Sequence, residues 1–347
     1  MAAQRVTMRD VAKAAEVSVS TVSLALSGKG RLDQATRRHV LDVAERMEYR
    51  VNHAARSLRS GRSGILVVSV SLPPSLLEAL PSLEYYVTIC QAATLHAAQR
   101  GYVLLMAPFG TDPGSLSALP LEGGIVLDPG PDDPLLAQLA SQRVPVVTIG
   151  RDVTAERGSD WWVDTDLRAL VGEMLDHLAE RGAERIALLS SDLRRSYISD
   201  TERAYEEWVT ARGGRPRIVR AAATMTEQDA YHAAGRVLRS RSRPDAIYTP
   251  VDRFAVAALN AALGRSLTVP QDLLIASGND TTLTRAAAIP ISSLALPAAD
   301  LGRLATELLL DRLREDGHPA TRIAPGELRL RRSTGAGVRR VHRSAAG

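Results

Sequence analysis

From residue 64 onward, short apolar segments alternate with helical patterns. Strands that alternate with helices form parallel sheets with helices on their faces. The apolar segments predict strands at 65–70, 102–106, 124–127, 144–149, 185–189, 245–249 and 273–276. The amphipathic patterns predict helices at 85–100, 134–142, 167–181, 201–212, 227–241, 253–263 and 298–314. Roughly 270 residues are more than a single hydrophobic core usually serves, so we expect two doubly wound subdomains.

Two such subdomains create a natural place for a small molecule. Ligands of open parallel sheets bind at the carboxyl ends of the strands. A cleft between two sheets is therefore the expected small-molecule site.

The first fifty residues carry three shorter helical patterns instead. Thr7 with Asp10 is typical of a helix start, Ser18 is a second candidate N-cap after the turn at 16–18, and Asp33 is a third. The order helix, three-residue turn, helix is that of a helix-turn-helix, whose second helix enters the DNA major groove. A three-helix bundle without DNA contacts would explain the apolar spacing equally well.

Charge is unevenly distributed along the chain, whose net charge is only +4. Residues 1–62 hold twelve Lys and Arg against six acids, residues 63–327 carry a net −8, and the tail from Leu328 holds six arginines and no acid. A basic head on an acidic body indicates a polyanionic partner for the head. A merely solvated basic face is the alternative.

Several classes of protein are excluded by what the sequence lacks. The single cysteine, Cys90, cannot form an internal disulfide. No apolar segment approaches the roughly 18 to 20 residues of a membrane span, and the polar start does not resemble a signal peptide, so we expect a cytoplasmic protein without a membrane partner. No phosphate-binding, zinc-protease or serine-hydrolase motif is present, so no catalytic residue, cofactor or metal site is predicted.

The string Val6 to Ser23 reads V-T-x-x-D-V-A-x-x-A-x-V-S-x-x-T-V-S and resembles the N-terminal region of the LacI/GalR family of bacterial repressors. Similarity continues at Glu122 to Leu127, at Val144 to Arg151 and at Leu301 to Ala305. The resemblance implies an all-α helix-turn-helix headpiece at 1–51, a hinge helix and linker at 52–62, and an effector-binding and dimerisation domain at 63–335. A basic tail follows at 336–347.

The resemblance also implies an architecture and a function. The C-terminal part would be an α/β periplasmic-binding-protein-like domain of two doubly wound subdomains, with chain crossings near residues 160, 290 and 320. The protein would be a homodimeric, sequence-specific transcriptional repressor that binds a pseudopalindromic operator in double-stranded DNA. A small-molecule effector, such as a sugar or another metabolite, would control it. The alternative is a DNA-modifying or sugar-processing enzyme with a helix-turn-helix appendage.

Individual DNA contacts follow from the same resemblance and from side-chain chemistry. The hinge residues Ala55 and Leu58 would enter the minor groove, where an apolar side chain can wedge between base pairs. An isolated hinge helix of about two turns is only marginal in water, so it should need a partner to fold. The predicted DNA-binding residues are Thr7, Ser18, Val19, Ser20, Thr21, Ser23, Leu24, Ser27, Arg31, Asn52, His53, Ala55, Arg56 and Leu58.

The sequence departs from the family at two positions of the head. Glu16 stands at the usual turn glycine, which costs on the order of 1–2 kcal/mol if that position needs a positive φ. Leu24 replaces a common arginine of the recognition helix and cannot make the bidentate contact to guanine, so we expect a non-standard operator.

The effector site departs further from the family. Val251 stands where the family has asparagine before Asp252, Asn279 replaces an acid that binds sugar hydroxyls, and the family's arginine has no clean counterpart, Arg203 being the nearest. The predicted effector-binding residues are Trp162, Tyr197, Arg203, Val251, Asp252 and Asn279.

Five side chains have competing interpretations. Trp161 and Trp162 are either a stacking platform or, as is more usual, packed in the core. Arg194 and Arg195, together with Tyr197, are candidates for an anionic or nucleobase-like effector. For the two arginines a solvated surface position is the preferred interpretation.

Overall fold

The structure is a computed structural model that describes residues 6–27, 31–47, 49, 63–71, 83–107, 116–153, 161–221, 226–314, 318 and 320–335. The chain divides into two compact units, Met1–Ser63 and Gly64–Gly347. The predicted hinge at 52–62 and the predicted tail at 336–347 lie outside the described residues. Within the described part of the chain, no helix has the length and hydropathy of a membrane span.

The first unit consists of three helices around one small core. They are α1 (Met8–Ala14), α2 (Val19–Ser27) and α3 (Gln34–Arg46). Small and β-branched residues recur at helical spacing on all three and bury completely, among them Val11, Val22 and Val40. Because these residues are short, the helices can approach closely enough to exclude water from a core of few side chains.

The second unit contains two six-stranded sheets. The first has the order β11-β5-β4-β3-β1-β2 and is parallel throughout. The second has the order β12-β10-β9-β8-β6-β7 and is parallel except that β12 runs antiparallel to β10. The first sheet comprises β1 (Ile65–Val70), β2 (Val103–Met106), β3 (Gly123–Leu127), β4 (Val146–Ile149), β5 (Trp162–Thr165) and β11 (Thr321–Ala324). The second comprises β6 (Ile186–Ser191), β7 (Ile218–Ala221), β8 (Ala246–Thr249), β9 (Leu274–Ser277), β10 (Ser292–Ala295) and β12 (Glu327–Arg329).

Helices connect these strands and cover the sheets. They are α4 (Glu84–Gln99), α5 (Pro134–Ser141), α6 (Leu167–Glu180), α7 (Ser196–Ala211), α8 (Glu227–Leu238), α9 (Asp252–Leu263), α10 (Thr282–Ala286) and α11 (Ala298–Arg312). The chain passes between the sheets after Thr165, after Ala295 and after Ala324, each a few residues beyond the predicted crossings. The fold is therefore the predicted helix-turn-helix head followed by an α/β domain of two doubly wound subdomains.

Five strands were not predicted from the sequence: β5, β7, β10, β11 and β12. None of them is a run of large apolar residues. Strand β10 contains Ser292 and Ser293, both fully buried, which satisfy their hydroxyls with Thr334 Oγ1 at 2.6 Å and with the Ile291 carbonyl at 2.9 Å. Buried serine hydroxyls need such hydrogen-bond partners. These partners are brought into place only by the folded structure, so the local sequence does not reveal the strand. Helix α7 also begins at Ser196, five residues before its predicted start.

The last described residues are anchored in the second sheet. The Ser333 hydroxyl donates to the Ile275 carbonyl at 2.6 Å and accepts from the Ser292 N–H at 2.9 Å. Thr334 Oγ1 lies 2.8 Å from His177 Nε2. Ser333 and Thr334 are both fully buried. The segment after β12 is thus part of the folded domain.

Candidate functional sites: the head and a cavity between two sheets

The geometry of the head is set by its helix caps. Thr7 caps α1: its hydroxyl and its backbone N–H both donate to Asp10 Oδ2, at 2.6 and 2.8 Å. These hydrogen bonds lower the pKa of the Asp10 carboxyl. Ser18 caps α2 by accepting from the Thr21 N–H at 3.0 Å. Between the helices, Glu16 has φ +53°, so the turn does use a left-handed conformation.

Helix α2 carries six of the fourteen residues predicted to contact DNA, which are Val19, Ser20, Thr21, Ser23, Leu24 and Ser27. Ser20 and Leu24, four residues apart, are exposed, Leu24 by 38% of its surface. Thr21 and Ser23 are half-buried, and Arg31 between α2 and α3 is exposed. Val19 is half-buried and packs against the core of the head. The predicted contacts Asn52, His53, Ala55, Arg56 and Leu58 lie outside the described residues.

A cavity of about 100 Å³ lies at the carboxyl ends of both sheets. This is where parallel sheets place their ligands. Strand ends of the first sheet and of the second contribute its walls: Ser71, Asp128, Asp164, Leu193, Val251 and Gly278.

Two carboxylates of the first sheet define the polar side of the cavity. Burial raises the pKa of Asp128 to about 6, although the Tyr86 hydroxyl, which donates to its Oδ2 at 2.7 Å, and nearby Arg195 both oppose the shift. Burial also raises the pKa of Asp164 to about 7. The backbone N–H of Thr165, which donates to Asp164 Oδ1 at 2.8 Å, opposes this shift. Both side chains are thus costly to ionise at their buried positions.

The backbone around Asp128 is strained and closely packed. Asp128 itself has φ +46°, an uncommon conformation for a residue with a side chain. A Cβ at neighbouring Gly150, which has φ +77°, would lie 2.9 Å from both Asp128 Oδ1 and Ser196 Oγ. Only glycine therefore fits at position 150, where the ends of β3 and β4 approach the start of α7.

Tyrosines form much of the remaining wall. Four of the eight tyrosines in the chain, Tyr85, Tyr86, Tyr197 and Tyr248, line the cavity. The rings of Tyr85 and Tyr86 pack edge to face with centroids 5.3 Å apart. Burial raises the pKa of Tyr197 and of Tyr248, so all of these phenols are protonated at neutral pH.

Arg195 spans the gap between the sheets. It follows β6 of the second sheet, yet its Nη2 donates to the carbonyl of Ser71, after β1 of the first sheet, at 2.8 Å. Its guanidinium occupies the space that a Cβ at Gly130 would fill. The interpretation of Arg195 as solvated surface is wrong, since only 7% of its surface is exposed. Long-range packing, which local sequence does not reveal, buries this charge.

Polar contacts at the rim join the two sheets further. Glu84, in the first turn of α4, accepts from the Thr282 N–H at 2.7 Å and from Arg285 Nη2 at 2.7 Å on α10. Arg151, after β4, pairs with Asp200 on α7. The cavity is therefore observed in a state that several ion pairs and hydrogen bonds hold together.

The structure separates the six predicted effector residues into two groups. Tyr197, Val251, Asp252 and Asn279 line the cavity. Trp162 and Arg203 lie in a neighbouring open crevice instead, where the Arg151 guanidinium stacks 5.7 Å from the Trp162 ring centre. Trp161 is buried and packs against Arg312, which agrees with core packing as the more usual interpretation of the two tryptophans.

Sequence reasoning missed Asp128, Asp164, Tyr85, Tyr86 and Tyr248 as cavity residues. The available signal was position, and it applied to Asp128 alone, which directly follows the predicted apolar strand at 124–127, where a sheet places its ligands. Asp164 lies within β5, which was not predicted. Among the described residues, no cluster of His, Cys, Asp and Glu is arranged to hold a metal ion.

Comparison with known proteins identifies both units. Residues 7–52 match bacterial regulatory proteins of the lacI family, and residues 175–334 match a periplasmic binding protein-like domain. The chain combines a DNA-binding domain of the lacI family with a periplasmic binding protein-like domain. Catabolite control protein A of Staphylococcus xylosus is 27% identical over 90% of this chain and 93% of its own length. The transcriptional regulator CelR of Thermobifida fusca is 27% identical over 95% and 98%.

A solved structure supports the same fold assignment. The Lac repressor dimer bound to operator and the anti-inducer ONPF matches with a TM-score of 0.76 at 20% identity, covering 95% of this chain and 99% of that one. The protein is a DNA-binding transcriptional regulator. These relatives support that function and not the alternative of an enzyme with a helix-turn-helix appendage.

Proposed function

We propose that the protein is a homodimeric repressor that binds a pseudopalindromic operator and whose operator affinity is controlled by a small molecule in the cavity. It would work in the cytoplasm, where bacterial operators are. One observation carries the proposal: the same chain has a head with an exposed α2 surface and a cavity where two parallel sheets meet at their carboxyl ends. The first feature suits reading of base edges, and the second suits a small ligand.

Two further arguments support the proposed assembly and control. The Lac repressor structure of similar fold is a dimer with an operator and an anti-inducer. A single head reads only a half-site, so two-fold symmetry doubles the contacts on a symmetric operator. The proposed domains are the head at 1–51, the hinge and linker at 52–62, the effector and dimerisation domain at 63–335, and the tail at 336–347.

Selection of operators from random double-stranded DNA tests the DNA-binding half. The wild-type protein should select a two-fold symmetric site. Leu24→Arg should change the preferred base at one symmetric pair of positions, because arginine can bind guanine in a bidentate manner, worth about 1–3 kcal/mol. Leu41→Arg is the matched control, since it adds the same charge at an exposed leucine on α3.

Three results would contradict parts of the proposed function. Selection of asymmetric half-sites by the wild-type protein would contradict a dimeric operator complex. An identical consensus for the wild-type protein and Leu24→Arg, or an equal shift with Leu41→Arg, would mean that α2 does not read bases through Leu24. Control by an effector would be contradicted if the affinity for the selected operator stayed the same in the presence of every fraction of cell metabolites.

A further inference from the structure

The hydrogen-bonding character of the cavity is unusual for its size. Its lining residues include four carboxylates, those of Glu84, Asp128, Asp164 and Asp252, and two guanidinium groups, those of Arg195 and Arg253. Ionised carboxylates only accept hydrogen bonds. The cavity is therefore rich in acceptors and net acidic.

Not every one of these charges is available to a ligand. Glu84 is bound to Thr282 and Arg285, and Asp252 accepts from the Thr281 hydroxyl at 2.8 Å. Arg195 donates to the carbonyls of Ser71 and Arg194. Asp128 and Asp164 remain, on the same side of the cavity. Neither forms an ion pair with an Arg or Lys among the described residues, and burial raises the pKa of both, although Arg195 opposes the shift at Asp128 and Arg151 opposes it at Asp164.

Two buried hydroxyl groups of the lining add further acceptors. Tyr248, which is fully buried, and Thr165, which is 7% exposed, both line the cavity. Neither hydroxyl oxygen has a hydrogen-bond partner among the described residues. Buried polar atoms in folded proteins are nearly always paired, so such orphans at a cavity indicate a missing ligand.

The tyrosine walls narrow the chemistry of that ligand. Tyr85, Tyr86 and Tyr197 lie close enough to Asp128 for its charge to act on all three phenols. Electron-rich rings together with a carboxylate form the surroundings that bind organic ammonium groups. An anionic ligand would instead face both aspartates.

One donor on the opposite wall remains unused. The Nε atom of Arg253, after β8 of the second sheet, is buried and has no partner among the residues described. A ligand that spans the cavity from the aspartates to this atom needs an acceptor at its far end. A hydroxyl group is the smallest acceptor that also tolerates the tyrosine hydroxyls nearby.

We propose that the effector is a small amino alcohol, whose ammonium group binds between Asp128, Asp164 and the tyrosines and whose hydroxyl accepts from Arg253. This inference rests on the proposed function, because it names the chemical class of the effector of that same cavity. Ligand binding would supply the cation that the two carboxylates lack and would draw the two sheets together through one molecule.

Calorimetric titration of the full-length protein without DNA tests the ligand class. The probes are two matched pairs: choline with its neutral isostere 3,3-dimethylbutan-1-ol, and glucosamine with glucose. We expect at least one amine to bind about tenfold or more tightly than its neutral partner. Equal affinities within both pairs, or no binding of either amine, would overturn the assignment.

Variants locate the binding site. Asp164→Asn keeps the oxygen that accepts from Thr165 N–H but removes the charge, so the preference for the amine should fall about tenfold. Asp192→Asn is the matched control, because Asp192 is exposed and lies outside the cavity. Tyr197→Phe should retain amine binding and Tyr197→Leu should lose it, because the ring face is needed. Circular dichroism would establish that every variant is folded.

The operator assay keeps the two proposals distinguishable. If neutral sugars bind and change operator affinity while amines do neither, the repressor function stands and the amino alcohol assignment falls. If no operator is selected, the repressor function falls, and the titrations without DNA still decide the ligand class. An equal loss of amine binding in Asp164→Asn and Asp192→Asn would also overturn the assignment.

Discussion

Glu16 shows how one residue can lower the stability of the head without altering its fold. Its φ of +53° lies in the left-handed region, where a Cβ crowds the backbone. The turn is nevertheless held, because Val17 N–H donates to the Ala12 carbonyl at 3.0 Å and Val22 packs in the core. The sequence predicted this cost from the absence of glycine alone.

Glu16→Gly should therefore stabilise the head. Relief of the strained backbone is worth about 1–2 kcal/mol, of which the greater flexibility of unfolded glycine offsets roughly half. Thermal unfolding followed by circular dichroism would measure the gain. Glu45→Gly, an exposed site within α3, is the matched control and should destabilise by about 1 kcal/mol. A loss of stability in both variants would show that the turn does not strain Glu16.

Asp164 should make the stability of the effector-free protein depend on pH. Burial raises its folded pKa to about 7, above the unfolded value, although Arg151 opposes the shift; Asp128 and Asp200 add to it. A group of this kind stabilises most when protonated, so the free energy of unfolding should fall as pH rises from about 5 to 8. The change should be on the order of 2 kcal/mol.

Denaturant unfolding of Asp164→Asn across this pH range gives the test. The variant should lose the slope between about pH 6 and 7 but keep the part below that Asp128 contributes, because burial raises the pKa of Asp128 to about 6 as well. Asp192→Asn should keep the whole slope. The variant comparison is needed because burial lowers the pKa of His96 and His177, whose titration acts in the opposite direction. Parallel curves for the wild-type protein and Asp164→Asn would mean that Asp164 ionises as freely when folded as when unfolded.

Only part of the cavity could be predicted from local sequence. Val251, Asp252 and Asn279 follow strands that apolar patterns predict, and they do line the cavity. Tyr85 and Tyr86 begin a helix after residues 72–82, so their approach to Asp128 depends on how two distant segments pack. Arg195 likewise reaches a carbonyl 124 residues away. Such contacts have no local pattern.

Among the elements, strands with a continuous apolar segment were predictable, including β2 at a sheet edge, and strands without such a segment were not. Strands β1, β3 and β8 are buried along all or nearly all of their length and lie inside their sheets, so hydrophobicity marks them. Strand β7 lies at an edge of the second sheet and is largely half-buried. Strand β11 lies at an edge of the first sheet, and Ile323 on it is exposed by 51%. Edge strands need fewer apolar residues, which weakens their signal.

Helices α4 and α10 should hold the two sheets together through Glu84. Glu84→Gln removes the charge that attracts Arg285, so the observed closed arrangement should lose about 1 kcal/mol, since the pair is partly exposed. Hydrogen exchange at the Thr282 N–H should become several-fold faster. Asp300→Asn, which breaks an ion pair within α11 alone, is the matched control and should leave this amide unchanged. Identical exchange rates in both variants would mean that the contact between Glu84 and Arg285 does not stabilise the closed arrangement.

The uneven charge of the chain bears on how it finds DNA. A head of +6 at residues 1–62 attracts phosphates, while the −8 of residues 63–327 repels them, which favours approach by the head. If a dimer neutralises about six or more phosphates, operator affinity should fall about a thousandfold between 50 and 200 mM salt. Fluorescence anisotropy with labelled operator would measure the slope. An affinity that is independent of salt would contradict phosphate contacts by the head.

The buried hydroxyls of Ser333 and Thr334 decide where a reporter can be attached. A truncation that removed them would leave polar atoms of Ser292, His177 and Ile275 without partners inside the second sheet, so it should damage the fold rather than trim it. A fluorophore or fusion partner joined after Gly335, whose carbonyl Arg181 holds at 2.9 Å, would start from a fixed point of that subdomain. Paired with a dye on the first sheet, such a label would turn cleft closure into an optical signal.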